Sequence, residues 1–298
     1  MQTLKPISLE DREWVSDLMW RSNSRGSEYT FSNLYNWSKV YHFRIGRIED
    51  FLIIQSGNTT HRYNYPIGFG DVRTAITVMM ETCKKEGMAF RLYGINEQAK
   101  EALEIAYPNS FSFQPVRNNF DYIYLREKLA TLTGKKLHGK RNHIARFKEN
   151  HPDWCYEPLS DENLNEVGEM NQEWCRINGC YDDPGLRQEA CAVRSALENY
   201  HALKLTGGAL RADGKIIAFT LGSPVAEDTF VVHVEKAFGD IQGAYPMINQ
   251  QFVLNELEKY TYVNREDDLG DEGLRKAKES YYPDMMYARY VLTPKEPG

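Results

Sequence analysis

Chemistry in this 298-residue chain concentrates in one stretch, Asn264-Arg265-Glu266-Asp267-Asp268-Leu269-Gly270, continuing through Gly273-Leu274-Arg275 to Lys278-Glu279-Ser280-Tyr281-Tyr282-Pro283. Three adjacent acids repel one another unless cations, a metal or a substrate amine meet them. They follow an apolar strand pattern at 260–264, and loops at strand ends are where helix-covered sheets carry chemistry. Asp271 and Glu272 also suit the N-terminus of a helix expected over 271–281. On that helix Leu274, Ala277 and Tyr281 share a face, and Lys278 lies one turn after Leu274. A solvated acidic turn followed by an ordinary amphipathic helix fits the same residues, so both readings stay open.

A second candidate is the pair His233 and Glu235 on a strand expected over 230–237. Strict alternation puts them on one face, where imidazole or carboxylate can take a proton from an amine, directly or through water. An edge-exposed pair of no catalytic importance fits as well. A third is a cationic belt. Residues 126–150 carry eight basic and two acidic side chains, and Lys135, Lys136, Lys140, Arg141, Arg146 and Lys148 occur with no acid between 135 and 148. Such a belt suits phosphate contacts. Lys140, Asn142 and His143 crowd one helical turn, whereas Arg141 and Arg146 do not share a face. The belt equally suits electrostatic docking against residues 151–298, which hold 14 basic and 26 acidic side chains; residues 1–125 balance at 14 each. The formal net charge of −6 makes the chain as a whole repel nucleic acid.

Composition bounds the rest. At 42% hydrophobic and 12% aromatic residues the chain can bury real cores, and its length favours two domains. No run approaches the roughly 18 apolar residues of a membrane span. The start, Met1-Gln2-Thr3-Leu4-Lys5-Pro6, does not read as a secretory leader. Five cysteines, an odd number without C-x-x-C spacing, indicate neither a disulfide framework nor a zinc site, and Cys175 and Cys180 read as small buried apolar residues. No metal site, Ser-His-Asp arrangement, P-loop or dinucleotide glycine pattern stands out. The expectation is a reduced, cytoplasmic protein.

The elements that must position these residues come as a repeat. The C-terminal half predicts helices over 161–177 and 186–203, with Asp161 as N-cap. A meander follows over 205–211, 215–222 and 230–237, its first turn at Asp213-Gly214. Then come a helix over 247–259, a strand over 260–264, a helix over 271–281 and a strand over 286–292. The N-terminal half runs in the same order: helices over 9–20 and 32–40, strands over 42–48, 51–55 and 61–65, a helix over 72–85, a strand over 88–93, a helix over 97–106 and a strand over 120–125. Tyr65-Pro66 and Tyr107-Pro108, 42 residues apart, match Tyr245-Pro246 and Tyr282-Pro283, 37 apart. An internal duplication is the expectation, with domains over 1–125 and 159–298 and a basic linker helix over 126–158.

That element order resembles the GNAT-type N-acyltransferase fold, a mixed sheet covered by helices that holds an acyl donor where two central strands splay apart. The expected class is α+β (mixed α/β), with two tandem GNAT-like domains. Tandem units of this kind resemble the Fem-type and lysyl-phosphatidylglycerol-synthase-type transferases, which use charged tRNA. More specifically, the stretch 264–283, together with Lys140-Arg141-Asn142-His143 and His233-Val234-Glu235-Lys236-Ala237, resembles the soluble branch of the phosphatidylglycerol lysyltransferase C-terminal-domain family. The resemblance covers most of the chain. It implies transfer of an acyl or aminoacyl group, from charged tRNA or acyl-CoA, to an amine or hydroxyl. Glu235 or His233 would be the base, a strand N–H would hold the oxyanion, and Tyr281 or Tyr282 would assist the leaving group. Asn249, Arg265 and Lys278 would position substrates, with Asn264, Glu266, Asp268, Lys140, Arg141 and Asn142 completing the substrate-binding set. The loop 239–245 precedes a helix and could cradle a phosphate of coenzyme A. It lacks the usual acyl-CoA spacing of Gln or Arg, two residues, Gly, one residue, then Gly or Ala, and Pro246 removes a donor. The N-terminal half lacks the acidic turn after its 88–93 strand and reads as the degenerate copy. The competing expectation is a non-enzymatic module that binds a small ligand or partner. A split filled by side chains would favour that module, and an open cleft would favour an enzyme.

Overall fold

The computed structural model describes residues 4–57 and 61–295; the first three residues of the stretch read for a leader lie outside the described residues. Two compact units emerge. Unit 1 comprises Met1–Asp121, Asp267–Asp271 and Met286–Gly298, and unit 2 comprises Tyr122–Glu266 and Glu272–Met285. A division at 125 and 159 is therefore corrected. The strand Tyr290–Pro294, expected to end the C-terminal half, lies between Leu92–Ile95 and Phe111–Pro115 in unit 1, antiparallel to both. The strand Asp121–Leu125, expected to end the N-terminal half, pairs antiparallel with Tyr262–Asn264 of unit 2. Hydrogen-bond partners, not chain order, decide where a strand belongs.

In unit 1 the sheet runs Lys5–Pro6, Arg44–Ile48, Phe51–Ser56, Arg62–Asn64, Leu92–Ile95, Tyr290–Pro294, Phe111–Pro115. Its core gathers Ile53, Tyr63, Ile76, Met79, Leu92, Leu103 and Leu292. The amphipathic helices Val72–Lys85 and Glu97–Ala106 supply Ile76, Met79 and Leu103. Arg289 donates from both Nη atoms to the fully buried Asp121, each at 2.7 Å, and Ser27 N donates to the same carboxylate at 2.8 Å. A buried carboxylate is tolerated only with donors of this kind.

The strands of unit 2 lie in a seven-stranded sheet, in which Asp121–Leu125, Tyr262–Asn264, Thr229–Ala237, Lys215–Ala226, Thr206–Ala212 and Cys155–Pro158 follow one another in that order. Asp213 and Gly214 both take positive φ (51° and 74°), the two-residue turn expected between the first meander strands. Helix Ala244–Glu256 covers one face through Met247, Ile248, Phe252 and Val253. It starts before Pro246, which the first turn accepts because its N–H has no helical partner. Glu235 bonds Asn249 on that helix, while its neighbour Lys236 lies 3.5 Å over the ring of Trp174 on helix Leu164–Asn178. Adjacent strand residues point to opposite faces, so the two helices cover opposite faces.

The basic segment is no interdomain linker. Arg126–Thr131 and His138–Asn150 are helices of unit 2, and Leu129, Leu137, Ile144 and Phe147 enter its core beside Ile248 and Phe252. The cysteine reading is also corrected: Cys175 and Cys180 form a disulfide, with Cα atoms 5.0 Å apart. Gly179, at φ 72°, turns the end of helix Leu164–Asn178 back on itself, and Cys180 N donates to Cys175 O at 3.0 Å.

Gly243 takes φ 89°, and a Cβ there would press on the carbonyl oxygen of His143. Gly243→Ala should lower stability by about 2–3 kcal/mol through backbone strain and a clash that only backbone movement relieves, read as a shift of the urea midpoint. An unchanged midpoint would mean that the segment holding His143 is not packed against this turn.

Candidate functional site

The site is built where two central strands of unit 2 stop pairing. Thr229–Ala237 and Tyr262–Asn264 run parallel, with Thr229 beside Tyr262, Phe230 beside Val263 and Val231 beside Asn264, and the ladder ends there. One strand continues to Ala237. The other parts from it while keeping backbone bonds to Tyr122 (Arg265 N to Tyr122 O at 2.9 Å, Tyr122 N to Glu266 O at 3.1 Å), and turns at Glu266, which adopts φ 57° with its N donating to Asn264 Oδ1 at 2.7 Å. This is the splay implied by the resemblance.

Two side-chain bridges span the split. Arg265 Nη2 lies 2.8 Å from Glu235 Oε1, while Asn249 Nδ2 donates to Glu235 Oε2 at 2.8 Å. Side-chain exposure is only 11% for Arg265 and 12% for Glu235, so most of the pair is out of water. The Arg265 guanidinium stands 4.7 Å from the ring centre of Tyr281 and 5.8 Å from that of Tyr124. Lys278 Nζ donates to Arg265 O at 2.6 Å, and Tyr124 O–H donates to Lys278 O at 2.7 Å. Because the Glu235 carboxylate can only accept, it fixes the Asn249 amide with nitrogen toward it. Asn249 Oδ1 is then buried with no hydrogen-bond partner. Such an atom suits a donor on a bound molecule.

Lys140, on the first turn of helix His138–Asn150, places Nζ 4.1 Å over the Tyr281 ring. Burial first, and then the Arg265 charge, lower its pKa to about 8, with Glu235 opposing. The Tyr281 hydroxyl is pushed far up by burial, against the opposing pull of Arg265.

His233 belongs to a different constellation from Glu235. Leu221 pairs with Val234 but Gly222 pairs with Val232, so His233 is the extra residue of a β-bulge. The bulge interrupts the alternation that put both on one face. His233 Nδ1 lies 2.8 Å from Glu266 Oε1, and its Nε2 lies 2.8 Å from Ser223 Oγ.

The remaining expected residues scatter. Asp268 falls in unit 1, fully buried, with Arg117 Nη1 at 3.3 Å and Gly270 N donating at 2.9 Å. Tyr282 is exposed and 4.9 Å from Lys136 Nζ. Arg141 donates to the carbonyls of Gly134 (2.8 Å) and Leu132, so its charge closes the end of helix Arg126–Thr131. Asn142 is exposed beside His138, 3.1 Å away. In the glycine loop Ala244 N is taken by Ile241 O at 3.2 Å. Two residues went unread: Tyr124, whose alternation with Tyr122 on one strand was its only signal, and Ser223, which follows a glycine in a strand. Among the described residues no group of three or more His, Cys, Asp or Glu side chains could hold a metal ion, and no helix is long and apolar enough to cross a membrane. A separate depression of about 470 Å³ between helices Leu164–Asn178 and Pro184–Glu198 involves none of the expected site residues.

Known proteins resemble this chain as follows. The family described as phosphatidylglycerol lysyltransferase, C-terminal, matches residues 9–293. A conserved protein of unknown function from Bacteroides thetaiotaomicron is 41% identical, with TM-score 0.94 over 99% of this chain and 100% of that one. The C-terminal domain assigned to a lysylphosphatidylglycerol synthetase of Agrobacterium fabrum superposes at TM-score 0.69 with 15% identity, over 97% and 93% of the two chains, a likeness of fold. An uncharacterized protein of Mycoplasmoides gallisepticum is 27% identical over 178 residues; that match spans 58% of this chain and about half, 55%, of the curated relative.

Two outcomes are expected at the site. Glu235→Gln leaves a mostly buried arginine unpaired and should cost about 3–5 kcal/mol, whereas Glu235→Leu combined with Arg265→Met should lose less than Glu235→Leu alone; additive losses in urea unfolding would mean the pair is not coupled. Lys140 should be half neutral near pH 8, against about 10.4 for an ordinary lysine. With trace N-hydroxysuccinimidyl acetate at pH 7.5, peptide mass spectrometry should find it acetylated roughly ten-fold or more ahead of the exposed Lys135, Lys136 and Lys148. Equal labelling would place Lys140 in water.

Proposed function

The chain belongs to the phosphatidylglycerol lysyltransferase C-terminal family, and from that premise we propose that it moves an acyl or aminoacyl group to an amine or hydroxyl acceptor at the split of unit 2. Family and fold support an acyltransferase-type function; the donor and the residue roles are the proposal. The observation that carries it is the end of the parallel ladder at Val231 and Asn264, with cationic, aromatic and titratable side chains gathered beyond it. Strand N–H groups past Val231 lie outside that ladder, where a carbonyl oxygen can gain charge against them.

Roles follow from the geometry. Glu235 spends one oxygen on Arg265 and the other on Asn249, which suits holding those two groups better than taking a proton. His233, with Glu266 behind it, takes the acceptor's proton. Arg265, Lys140 and Asn249 hold the acyl group and its carrier. Tyr281, buried against Arg265, is the hydroxyl nearest the leaving group, since Tyr282 is exposed. Charged tRNA is the donor we favour, because Lys135, Lys136, Arg146 and Lys148 stay exposed along one segment. Acyl-CoA would use the same split. The two side-chain bridges that span the split, Glu235 to Arg265 and His233 to Glu266, favour a second reading, a module that binds such a group without transferring it.

Filter binding of bulk aminoacylated tRNA across salt tests the donor. Binding should weaken steeply with salt. Alanine at Lys135, Lys136, Arg146 and Lys148 should remove about one unit of the log–log slope per lost phosphate contact, and Arg141→Ala should leave the slope unchanged. No binding at low salt sinks the tRNA donor. His233→Ala should cut turnover by roughly 100-fold or more with binding kept, and unchanged turnover removes His233 as base.

A further inference from the structure

We propose that Ser223, His233 and Glu266 form a nucleophilic triad in which Ser223 carries the acyl group as a covalent ester between donor and acceptor. Ser223 Oγ lies 2.8 Å from His233 Nε2, and His233 Nδ1 lies 2.8 Å from Glu266 Oε1. The Glu266 carboxylate can only accept, so Nδ1 carries the ring hydrogen; the neutral ring then presents a bare Nε2 to the serine hydroxyl. Nucleophile, base and orienting carboxylate within hydrogen-bond reach are the arrangement that turns a hydroxyl into an attacking oxygen, whatever the fold that carries it.

Three separate elements supply the groups: strand Lys215–Ala226, the bulge in Thr229–Ala237, and the turn after Tyr262–Asn264. The bulge is what aims them. A regular strand would leave His233 in step with Glu235; the register shift opposite Leu221 and Gly222 takes it out of step. Gly222 belongs to the same device, because a Cβ there would run into the carbonyl oxygen of Val231. Ser223 is 6% exposed, and the side chains of His233 and Glu266 are 6% and 22% exposed. Little water competes for these hydrogen bonds, and the more open end of the chain of contacts is the carboxylate.

The step balances without a further reagent. His233 Nε2 takes the Ser223 proton as Oγ attacks the acyl carbon, the bond to the carrier breaks, and the proton leaves with the carrier. Acceptor nitrogen or oxygen then attacks the ester, its proton passes to Nε2, and Ser223 recovers its hydrogen. The inference rests on acyl transfer at the split but replaces direct attack by two displacements.

The test uses the full chain and p-nitrophenyl acetate at pH 8. The expected result is a burst of p-nitrophenol approaching one equivalent, with an acetyl ester on the Ser223 peptide that hydroxylamine removes. Ser223→Ala, shown to melt at the same temperature, should abolish the burst, and His233→Gln should slow it roughly 100-fold or more. A burst kept in Ser223→Ala, or no ester at Ser223 with either p-nitrophenyl acetate or diisopropyl fluorophosphate, overturns the triad. Transfer from a natural donor that persists in Ser223→Ala leaves the transferase reading standing and sinks the triad alone. An ester on Ser223 that no amine acceptor discharges keeps the triad and sinks the transferase reading.

Discussion

The pair Glu235–Arg265 joins two strands exactly where their hydrogen-bond ladder has run out, and the rest of the site is arranged around that fact. Parting two strands in a sheet's interior leaves backbone groups without their neighbours, a cost that a compact domain must offset. Here a charged bridge crosses the gap, with Asn249 fixing the carboxylate from the helix above and Tyr281 and Tyr124 lying beside the guanidinium. Desolvating both charges returns little stability. Its use is geometric, since it sets the distance between the strands and orients one buried acceptor atom.

A second bridge, His233 to Glu266, depends on a single inserted residue. Without the bulge His233 would alternate in step with Glu235, and the two would compete for one face. With it, neighbouring residues of the departing strand, Arg265 and Glu266, find different partners. One extra residue thus turns a row of charges into two constellations, one cationic and aromatic, the other an imidazole between a hydroxyl and a carboxylate. The acidic run after the strand is divided as well, Arg265 and Glu266 serving unit 2 and Asp267 and Asp268 falling in unit 1.

The cationic belt shows how burial changes what a charge can do. Arg141 is spent on carbonyls at a helix end and Lys140 is drawn over Tyr281, while Lys135, Lys136, Arg146 and Lys148 remain in water. Six similar residues in sequence therefore have three physical roles: a cap, an amine shifted toward neutrality, and a screened surface field that reaches about 8–10 Å at ordinary salt.

The sequence alone determined the mixed α/β class, the meander with its Asp-Gly turn, the helices that Tyr65-Pro66 and Tyr245-Pro246 introduce, those that Tyr107-Pro108 and Tyr282-Pro283 follow, and the family. All of these are written in local periodicity and turn chemistry, which act over a few residues. Glu235, Arg265, Asn249, Lys140, Lys278 and Tyr281 were legible as candidates one by one, because ionisable and aromatic side chains near a strand end are conspicuous by type. Tertiary structure alone decided that these six share one constellation while His233, Asp268, Tyr282 and Arg141 do not, and that Ser223 lies against His233 and Tyr124 beside Arg265. It also placed Asp121–Leu125 and Tyr290–Pro294 in sheets their order in the chain does not suggest, and closed Cys175 on Cys180. The physical reason is common to all of these: a bulge, a traded strand or a hydrogen bond between residues thirty positions apart depends on which backbone lies alongside, and one-dimensional patterns carry the period of an element but not the identity of its neighbour.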